Sequence, residues 1–339
     1  MSINPVAHYQ QVLSMALEDR TPGYQDLVSN NNAFLAVLNR KGLWQDYSGP
    51  RIRETLQIDK AAIQWASGYD FLDNAPVELF NDAYFTPKMA FVPISLSMEE
   101  IWNNRGESQI RPVLRSYLEA AERSLRDGMD EAAYSDGSGN GGKEIGGLDL
   151  AVPLVDDAGT YGGISRADNP VWRTTTYDAD TDFPDIGTQV TKDNIRQFWT
   201  RIMAQKTRGT RSPDLLLTSQ EHYEKYDAAT VAIQRITRSS GLGELGFTTL
   251  EYIGANRRAE IVLAGGIGSP MPANTTFFLE TDSFRVRVNP ANNFDKLFDG
   301  DGQMPINQAA IAQFIGWMGE ITQTNPLFHA RFYDSDPNS

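Results

Sequence analysis

The sequence predicts an α+β fold in which one long helix separates two regions of mixed structure. Three observations predict it: strand-like alternation over residues 51–96, an amphipathic stripe from about residue 110 to residue 132, and interspersed helix and strand patterns after residue 190. The 339 residues are enough for about two domains.

Composition excludes several functional classes. The chain has no cysteine, which excludes disulfides, thiolate metal sites and cysteine nucleophiles. No apolar run reaches the ~18 residues of a membrane helix, and no secretory signal pattern opens the chain, so we expect no membrane and a cytosolic site of synthesis. The formal charge is −14, and the basic residues are scattered, so no phosphate-binding stripe is predicted.

The first 45 residues are predicted to form an arm. Helical patterns near Tyr9–Leu17 and Ala33–Leu38 flank a turn-prone stretch at residues 21–23. Neither pattern is long enough to make a domain.

Residues 51–96 are predicted to form a two-stranded β excursion. Ile52, Glu54, Leu56 and Ile58 fall on one side of its first strand, and its second strand lies around residues 84–96. Two strands cannot bury the large apolar side chains that the excursion carries, so it needs another surface to lie on. The large apolar side chains between the two strands are Trp65, Tyr69, Phe71, Leu72, Leu79 and Phe80.

The long helix follows. Ser97 to Glu100 matches a capping box, which predicts a short helix to Gly106. A helical stripe then indicates the long helix itself, and Gly128 within it predicts a kink or a close contact, because glycine costs about 1 kcal/mol there. The stripe comprises Ile110, Val113, Leu114, Tyr117, Leu118, Ala121, Leu125, Met129 and Ala132.

A glycine-rich segment follows this helix, with six glycines from Gly137 to Gly147. Such a segment can adopt positive φ angles and approach another chain closely. It contains a G-x-G-x-x-G match (Gly137, Gly139 and Gly142), and Gly241, Gly243 and Gly246 form another. Both matches follow a helix instead of a strand, which favours a flexible loop over a dinucleotide site.

The region after residue 190 is predicted to be mixed α/β. Thr191 precedes an amphipathic helix, and Ser219 caps another that runs to about Arg238. Strands are predicted at residues 213–218, 248–253, 260–263, 275–279, 284–288 and 310–321. The first helix has an apolar face made of Ile195, Phe198, Trp199, Ile202 and Met203.

No catalytic or metal site is predicted. Asp178, Asp180 and Asp182 resemble the start of a calcium loop, but the loop's glycine and its final glutamate are missing, which favours an acidic solvated loop. The three histidines, at 8, 222 and 329, lie in different regions, and no nucleophile elbow is present. We therefore expect surface or helix-packing histidines, no cofactor and no enzymatic activity.

The order of these parts resembles the major capsid proteins of tailed bacteriophages, which have the HK97-like fold. The similarity extends from about residue 30 to residue 333 and is specific through the order and spacing of its motifs. The motifs are WASGY at 65–69, YFTP at 84–87, SMEEIWNN at 97–104, YGGI at 161–164, NPVWR at 169–173 and TNPLFHAR at 324–331, together with residues 134–148.

The resemblance implies a shell subunit that forms the hexamers and pentamers of an icosahedral head around double-stranded DNA. It implies an N-terminal arm (1–45), an extended β-loop (46–96) lying over a neighbouring subunit, a peripheral domain with the spine helix and the Gly-rich loop (97–190), an axial domain (191–290) and a return to the peripheral domain (291–339). The implied inter-subunit contacts of the extended loop are Ile58, Trp65, Tyr69, Phe71, Leu72, Phe80, Tyr84 and Phe85. The site residues of the Gly-rich loop are Gly137, Gly139, Gly141 and Gly142.

The implied partners are other copies of the chain, a separate scaffolding protein, a portal and a decoration protein, with assembly in the cytoplasm of an infected bacterium. Because the chain is acidic, we expect sparse, sequence-independent contacts with the packaged DNA. Two alternatives stay open: an encapsulin-type nanocompartment, which shares the fold and packages no genome, and, remotely, a nucleotide-binding enzyme built on the glycine loop. The arm and the phage-like motifs favour the capsid protein.

Overall fold

The computed structural model describes residues 32–57, 63–71, 79–99, 107–230, 249–254, 257–265, 268–297 and 309–336. Within these ranges no helix combines the length and the apolar character needed to cross a bilayer.

The described ranges contain the following helices and strands. The helices are α1 (Ala33–Arg40), α2 (Glu107–Tyr134), α3 (Gly139–Gly142), α4 (Leu148–Ala151), α5 (Ala179–Asp182), α6 (Ile195–Gln205) and α7 (Gln220–Thr230). The strands are β1 (Trp44–Asp46), β2 (Ile52–Gln57), β3 (Phe80–Phe85), β4 (Lys88–Ser97), β5 (Thr160–Tyr161), β6 (Ile164–Ser165), β7 (Thr175–Asp178), β8 (Leu215–Thr218), β9 (Thr249–Gly254), β10 (Arg257–Leu263), β11 (Thr275–Leu279), β12 (Phe284–Lys296), β13 (Ala310–Gln323) and β14 (Ala330–Tyr333).

A four-stranded sheet in the order β1-β12-β13-β4 packs against the long helix α2. The long strands β12 and β13 are antiparallel neighbours, and β4 pairs with β13 along its whole length. The described part of α2 buries Leu118, Ala121, Leu125 and Met129, which confirms that part of the predicted stripe. In α2, the side chains that precede Ser116 lie outside the described residues.

Gly128 corrects a sequence prediction. The helix runs without interruption through this position, and a Cβ added there would have no atom within 4 Å. Gly128 therefore serves neither a kink nor a close contact within the chain.

A six-stranded sheet has the order β7-β14-β11-β8-β10-β9 and carries the second apolar core. Helix α6 buries the face that its spacing predicted, and Trp199 stacks on Tyr226 of α7 with ring centroids 4.6 Å apart. Strands β7 and β14, which the sequence analysis did not predict, pair in parallel at one side of this sheet.

Helix α1, which lies in the segment predicted as the N-terminal arm, is buried in the body of its own chain. Every residue from Ala33 to Leu38 is at most 4% exposed, and the ring of Phe34 meets that of Phe284 edge-on at 5.3 Å. The Asn32 side chain caps the helix by accepting from the backbone N–H groups of Phe34 and Leu35. The helix is thus part of the chain's own core.

The second predicted strand of the excursion is two strands. β3 pairs with β2 in a separate hairpin, whereas β4 belongs to the four-stranded sheet, and the chain leaves strand geometry between them at Thr86 and Pro87. β4 runs to Ser97, and residues 98 and 99 are helical, so a helix begins directly after Ser97, at the position that the capping box predicted. Glu100, the other half of the capping box, lies outside the described residues.

Candidate assembly interface

Exposed apolar side chains concentrate in the segment predicted as the extended loop, residues 46–96, which comprises the β2–β3 hairpin, its connection and most of β4. Among the described residues, eight of the fifteen large apolar side chains that are exposed belong to it. Scattered exposed apolar residues are ordinary, but a concentration of this kind marks an interaction surface. These eight are Ile63, Trp65, Tyr69, Phe71, Phe80, Tyr84, Met89 and Phe91.

The loop begins with a base, the β2–β3 hairpin, whose inner face is buried in its own chain. Phe85 packs edge-on against Tyr161, with ring centroids 5.1 Å apart, and Tyr161 stacks on Trp172 at 5.8 Å. The Trp172 indole N–H donates to the Tyr161 carbonyl over 2.9 Å. The YGGI and NPVWR motifs therefore form an aromatic platform beneath the base.

A buried carboxylate adds a second anchor to the base. Glu54 points inward between Ile52 and Leu56, and its carboxylate accepts from the Arg287 guanidinium over 2.8 Å and from the Thr322 hydroxyl over 3.1 Å. Burial of an acid is costly unless it is paired and hydrogen-bonded, and Glu54 is both. The pair joins the hairpin to strands β12 and β13.

Gly162 makes the contact between base and platform possible. Its φ is +58°, and a Cβ added there would lie 2.8 Å from the Ala83 Cβ and 2.9 Å from the Phe85 ring. Its carbonyl accepts from the Tyr84 backbone N–H over 2.8 Å. Only glycine allows both the conformation and this close approach.

The far end of the loop, which we call the tip (residues 63–71), is exposed, whereas the inner face of the base is buried. Trp65, Tyr69 and Phe71 are 92%, 103% and 103% exposed. A turn organises them: the Ser67 backbone N–H donates to the Asp70 carboxylate over 2.8 Å. The tip thus presents aromatic surface for which the described residues of its own chain provide no cover.

The predicted contact residues divide accordingly. Trp65, Tyr69, Phe71, Phe80 and Tyr84 are exposed, as a contact with another copy requires, and their role stays a prediction. Phe85 corrects the prediction: it is only 6% exposed because it packs on the platform of its own chain. The other two predicted contact residues, Ile58 and Leu72, lie outside the described residues.

The predicted Gly-rich loop folds back on its own chain. Gly137, Gly141 and Gly142 have positive φ, and a Cβ at Gly139 would meet the carboxylate end of the Glu144 side chain. Residues 139–142 form the single turn α3, which follows the end of α2 instead of opening a helix after a strand. This geometry does not match a dinucleotide site.

Two strand residues hold the Gly-rich loop in place. The Lys88 ammonium donates to the Gly142 carbonyl, and the Glu320 carboxyl accepts from the Gly146 backbone N–H over 2.7 Å. Burial raises the pKa of Glu320 to about 8, although its two backbone hydrogen bonds oppose the shift. Gly141 and Gly142 remain open to other molecules, since no atom lies within 4 Å of an added Cβ.

The histidines that the structure describes are structural. Burial lowers the pKa of His222 and of His329 to about 3, so both are neutral at pH 7. The His329 Nδ1 accepts from the Glu280 backbone N–H over 3.1 Å, and its Nε2 donates to the Ser283 hydroxyl over 2.7 Å. His222, on helix α7, stacks on Phe332, as the helix-packing interpretation predicted.

Asp178 corrects the prediction of a solvated acidic loop. It is buried, and its carboxylate accepts from the Ser335 backbone N–H and hydroxyl and from the Thr181 hydroxyl. Only Asp180 and Asp182 of the trio are exposed. No group of three or more acidic or histidine side chains within the described ranges could hold a metal ion.

Several residues of the interface region were missed as site residues by the sequence analysis. Glu54 carried a readable signal, because a carboxylate on the apolar side of a strand requires a partner. Its partner Arg287 lies 233 residues away, so spacing could not reveal it. Gly162 and Trp172 lie in the YGGI and NPVWR motifs, but the motifs themselves indicate no role for either residue.

Comparison with known proteins establishes the fold. No protein-family model matches the chain, and no curated protein matches it. A cyanophage A-1(L) capsid subunit aligns at TM-score 0.63 and 15% identity, over 87% of this chain and 90% of that one. The capsid of a native GTA particle aligns at 0.56 and 10%, over 88% and 90%. A structure from Mycobacterium phage Bobi aligns at 0.50 and 10%, over 86% and 88%. The chain therefore has the HK97-like capsid fold.

Proposed function

We propose that this chain is the major capsid protein of a tailed bacteriophage, which assembles into the hexamers and pentamers of an icosahedral shell around double-stranded DNA. The observation that carries the proposal is the contrast within the extended loop: a firmly anchored base ends in a fully exposed aromatic tip. The fold that it shares with the cyanophage and GTA capsids supports the same conclusion.

The tip provides enough apolar surface to drive association. Trp65, Tyr69 and Phe71 together bury ~450–750 Å² when covered, at ~150–250 Å² per aromatic side chain. At ~25 cal/mol per Å² this is worth roughly 11–19 kcal/mol. Association costs an estimated ~4–15 kcal/mol, a range that overlaps this gain, so a single contact is close to balanced. Repetition of the contact around a closed shell makes the assembly stable.

A structural role is favoured over catalysis. The buried histidines are occupied with hydrogen bonds or ring stacking, and the Gly-rich loop is fixed to the four-stranded sheet. These observations disfavour the nucleotide-binding enzyme, since the loop follows a helix instead of joining a strand to a helix as a dinucleotide site does.

The proposal also covers the molecules that the shell contacts and the compartment in which it assembles. We propose that the DNA inside is contacted weakly and without sequence preference, because a net charge of −14 opposes phosphate binding. A separate scaffolding protein, a portal and a decoration protein are the partners that we propose, with assembly in the bacterial cytoplasm and residence in the virion.

Electron microscopy of particles purified from the source, together with their nucleic-acid absorbance, tests the proposal. We expect closed icosahedral shells that contain DNA. Shells filled with protein cargo and free of nucleic acid would support the encapsulin alternative. A monomer at high concentration would refute both.

A further inference from the structure

We infer that a polar cavity beside the base of the β2–β3 hairpin binds a small phosphate compound, which Lys206 and Arg208 hold. The inference goes beyond the proposed function and does not depend on it. The cavity has a volume of about 740 Å³, which is large enough for a small ligand. Its walls are the ends of the hairpin strands, the 169–172 turn, residues 205–211 after helix α6 and residues 324–328.

The lining of the cavity is polar, and its charged residues are all basic. Eleven of its eighteen residues are polar, five of these have amide side chains, and none is an aspartate or a glutamate. The charged residues are Lys206, Arg208 and Arg211. Ammonium, guanidinium and amide groups all donate hydrogen bonds, so the lining suits a ligand with several acceptor oxygens. The cavity thus reverses, locally, the sign of a chain whose net charge is −14.

Lys206 is a buried cation that has no ion-pair partner in the described part of the chain. It is 8% exposed, and its ammonium donates to the Thr175 hydroxyl and, over 3.2 Å, to the Leu327 carbonyl. Both acceptors are neutral, and an ammonium has a third N–H to donate. Because a buried charge is costly unless it is paired, this ammonium calls for an anion.

The titration of Lys206 agrees with this geometry. Burial lowers the pKa of Lys206 to about 8, and the charge of Asp156 opposes the shift. A bound anion would favour the protonated amine and raise this pKa again. The amine of Lys206 therefore reports directly on whether an anion occupies the cavity.

The two arginines of the cavity differ in what they already bind. Arg211 donates to both carboxylate oxygens of Glu280 over 2.6 Å, and its guanidinium lies 4.6 Å from the centre of the Phe328 ring. Arg208 is exposed and forms no ion pair with any described residue. Two backbone hydrogen bonds between Arg208 and Arg211, of 2.9 and 3.1 Å, fix the turn that carries both. Lys206 and Arg208 are thus the cations that remain for a ligand.

A phosphate group matches these two cations better than a carboxylate does. A phosphate monoester carries a charge of about −1.5 to −2 at pH 7 and three strong acceptor oxygens. A carboxylate carries a single charge and two oxygens. Duplex DNA fits less well than a small compound, because its phosphates lie on a convex surface, whereas Lys206 is buried in the wall of a concave one.

Acetylation of lysines by acetic anhydride, followed by peptide mass spectrometry, tests the inference on the purified chain. The reagent attacks neutral amines. Millimolar pyrophosphate should slow the acetylation of Lys206 several-fold and shift its titration to higher pH, because the anion covers the amine and favours its protonated form. Lys192, which is exposed and lies outside the cavity lining, should react at an unchanged rate. Sodium chloride at the same ionic strength is the control for screening.

A charge variant tests the role of Arg208. Arg208→Gln should weaken the protection of Lys206 several-fold, whereas Arg123→Gln, the same charge change at an exposed site on helix α2, should leave it intact. A ligand that binds the folded state also stabilises it, so pyrophosphate should raise the Tm of the native chain more than that of Arg208→Gln. Equal protection and equal Tm shifts in Arg208→Gln and Arg123→Gln would overturn the assignment of Arg208.

Two results would overturn the site as a whole. One is equal acetylation of Lys206, and an equal Tm, in pyrophosphate and in sodium chloride. The other is protection of Lys206 by a short DNA duplex but not by pyrophosphate, which would assign the cavity to nucleic acid instead of a small compound. None of these measurements depends on particle formation, so the capsid proposal stands or falls separately.

Discussion

The base and the tip of the extended loop belong to one hairpin excursion and yet have opposite surroundings. At the base, Phe85 and Glu54 are 6% exposed and are held by an aromatic platform and an ion pair. At the tip, Trp65 and Phe71 are almost wholly exposed. The chain therefore uses its own body to orient the hairpin and leaves the apolar surface of the tip uncovered.

Aromatic composition alone therefore does not identify an interface. Phe80 and Phe85 lie in the same strand, and one is 65% exposed while the other is buried. The pleat of the strand turns the two rings to opposite faces, and only the ring of Phe85 faces the aromatic platform.

Glu54→Ala should have the largest effect on the free subunit. It leaves the Arg287 guanidinium, half-buried and 2.8 Å from the lost carboxylate, without that partner, and should lower the free energy of unfolding by about 3 kcal/mol. Arg53→Gln on the outer face of the same strand is the control and should cost less than about 1 kcal/mol, because its ion pair with Asp82 is exposed. Urea denaturation measures both, and equal losses would contradict the buried anchor.

Gly162→Ala should separate the base from its platform. The new methyl group would clash with Ala83 and Phe85, and we expect a loss of roughly 1–3 kcal/mol beyond backbone strain. Gly163→Ala is a matched control, since its φ is +78° and a Cβ there has no atom within 4 Å. If both variants lose the same stability, strain alone explains the glycine and the close contact is unimportant.

Glu320→Gln should make stability less dependent on pH. The pKa of Glu320 is about 8 in the folded chain and near 4.5 when exposed, so the unfolded chain holds fewer protons between these values. Stability contributed by Glu320 is therefore complete below about pH 4.5 and is lost as the pH rises towards 8.

The glutamine variant, which imitates the protonated acid, should be more stable than the native chain at pH 8, by up to a few kcal/mol. At pH 5 the two should differ little. Thermal unfolding across this pH range measures the difference, with the exposed Glu131→Gln as control. An unchanged pH profile in Glu320→Gln would show that this carboxyl does not titrate there.

Substitutions at the tip should have the smallest effect on folding. The triple variant Trp65→Ser, Tyr69→Ser and Phe71→Ser removes side chains that are 92–103% exposed, so the free energy of unfolding should change by no more than about 0.5 kcal/mol. The same variant should abolish shell formation. Particles of normal yield, seen by sedimentation, would contradict the role of the tip.

Much of the fold could be predicted from periodicity. The stripe of α2 and the apolar face of α6 are readable because each buries one side of a helix, and β11 is readable as a short, continuously apolar run. The strand β11 was predicted with its exact bounds, Thr275–Leu279.

The misses have a common physical cause, which is pairing between distant segments. Strand β7 is four residues long and pairs with β14 more than 150 residues later, and its residues are only partly buried. Helix α1 looked like part of an arm because its burial depends on Phe284, far along the chain. Local patterns do not contain this information.

The candidate interface could be predicted only in part, because the exposure of a side chain also depends on distant segments. Trp65, Tyr69 and Phe71 stood out as aromatic residues without a regular pattern, and the structure leaves them exposed. Phe85 was misassigned because its cover, Tyr161, lies outside the hairpin.

Hydroxyl-radical footprinting of free subunits and assembled particles tests the central claim most directly. The tip residues Trp65, Tyr69 and Phe71 should be oxidised rapidly in free subunits and be protected several-fold in particles, whereas Phe85 should be protected in both. Equal oxidation of the three tip residues in free subunits and in particles would contradict the claim that assembly covers the tip.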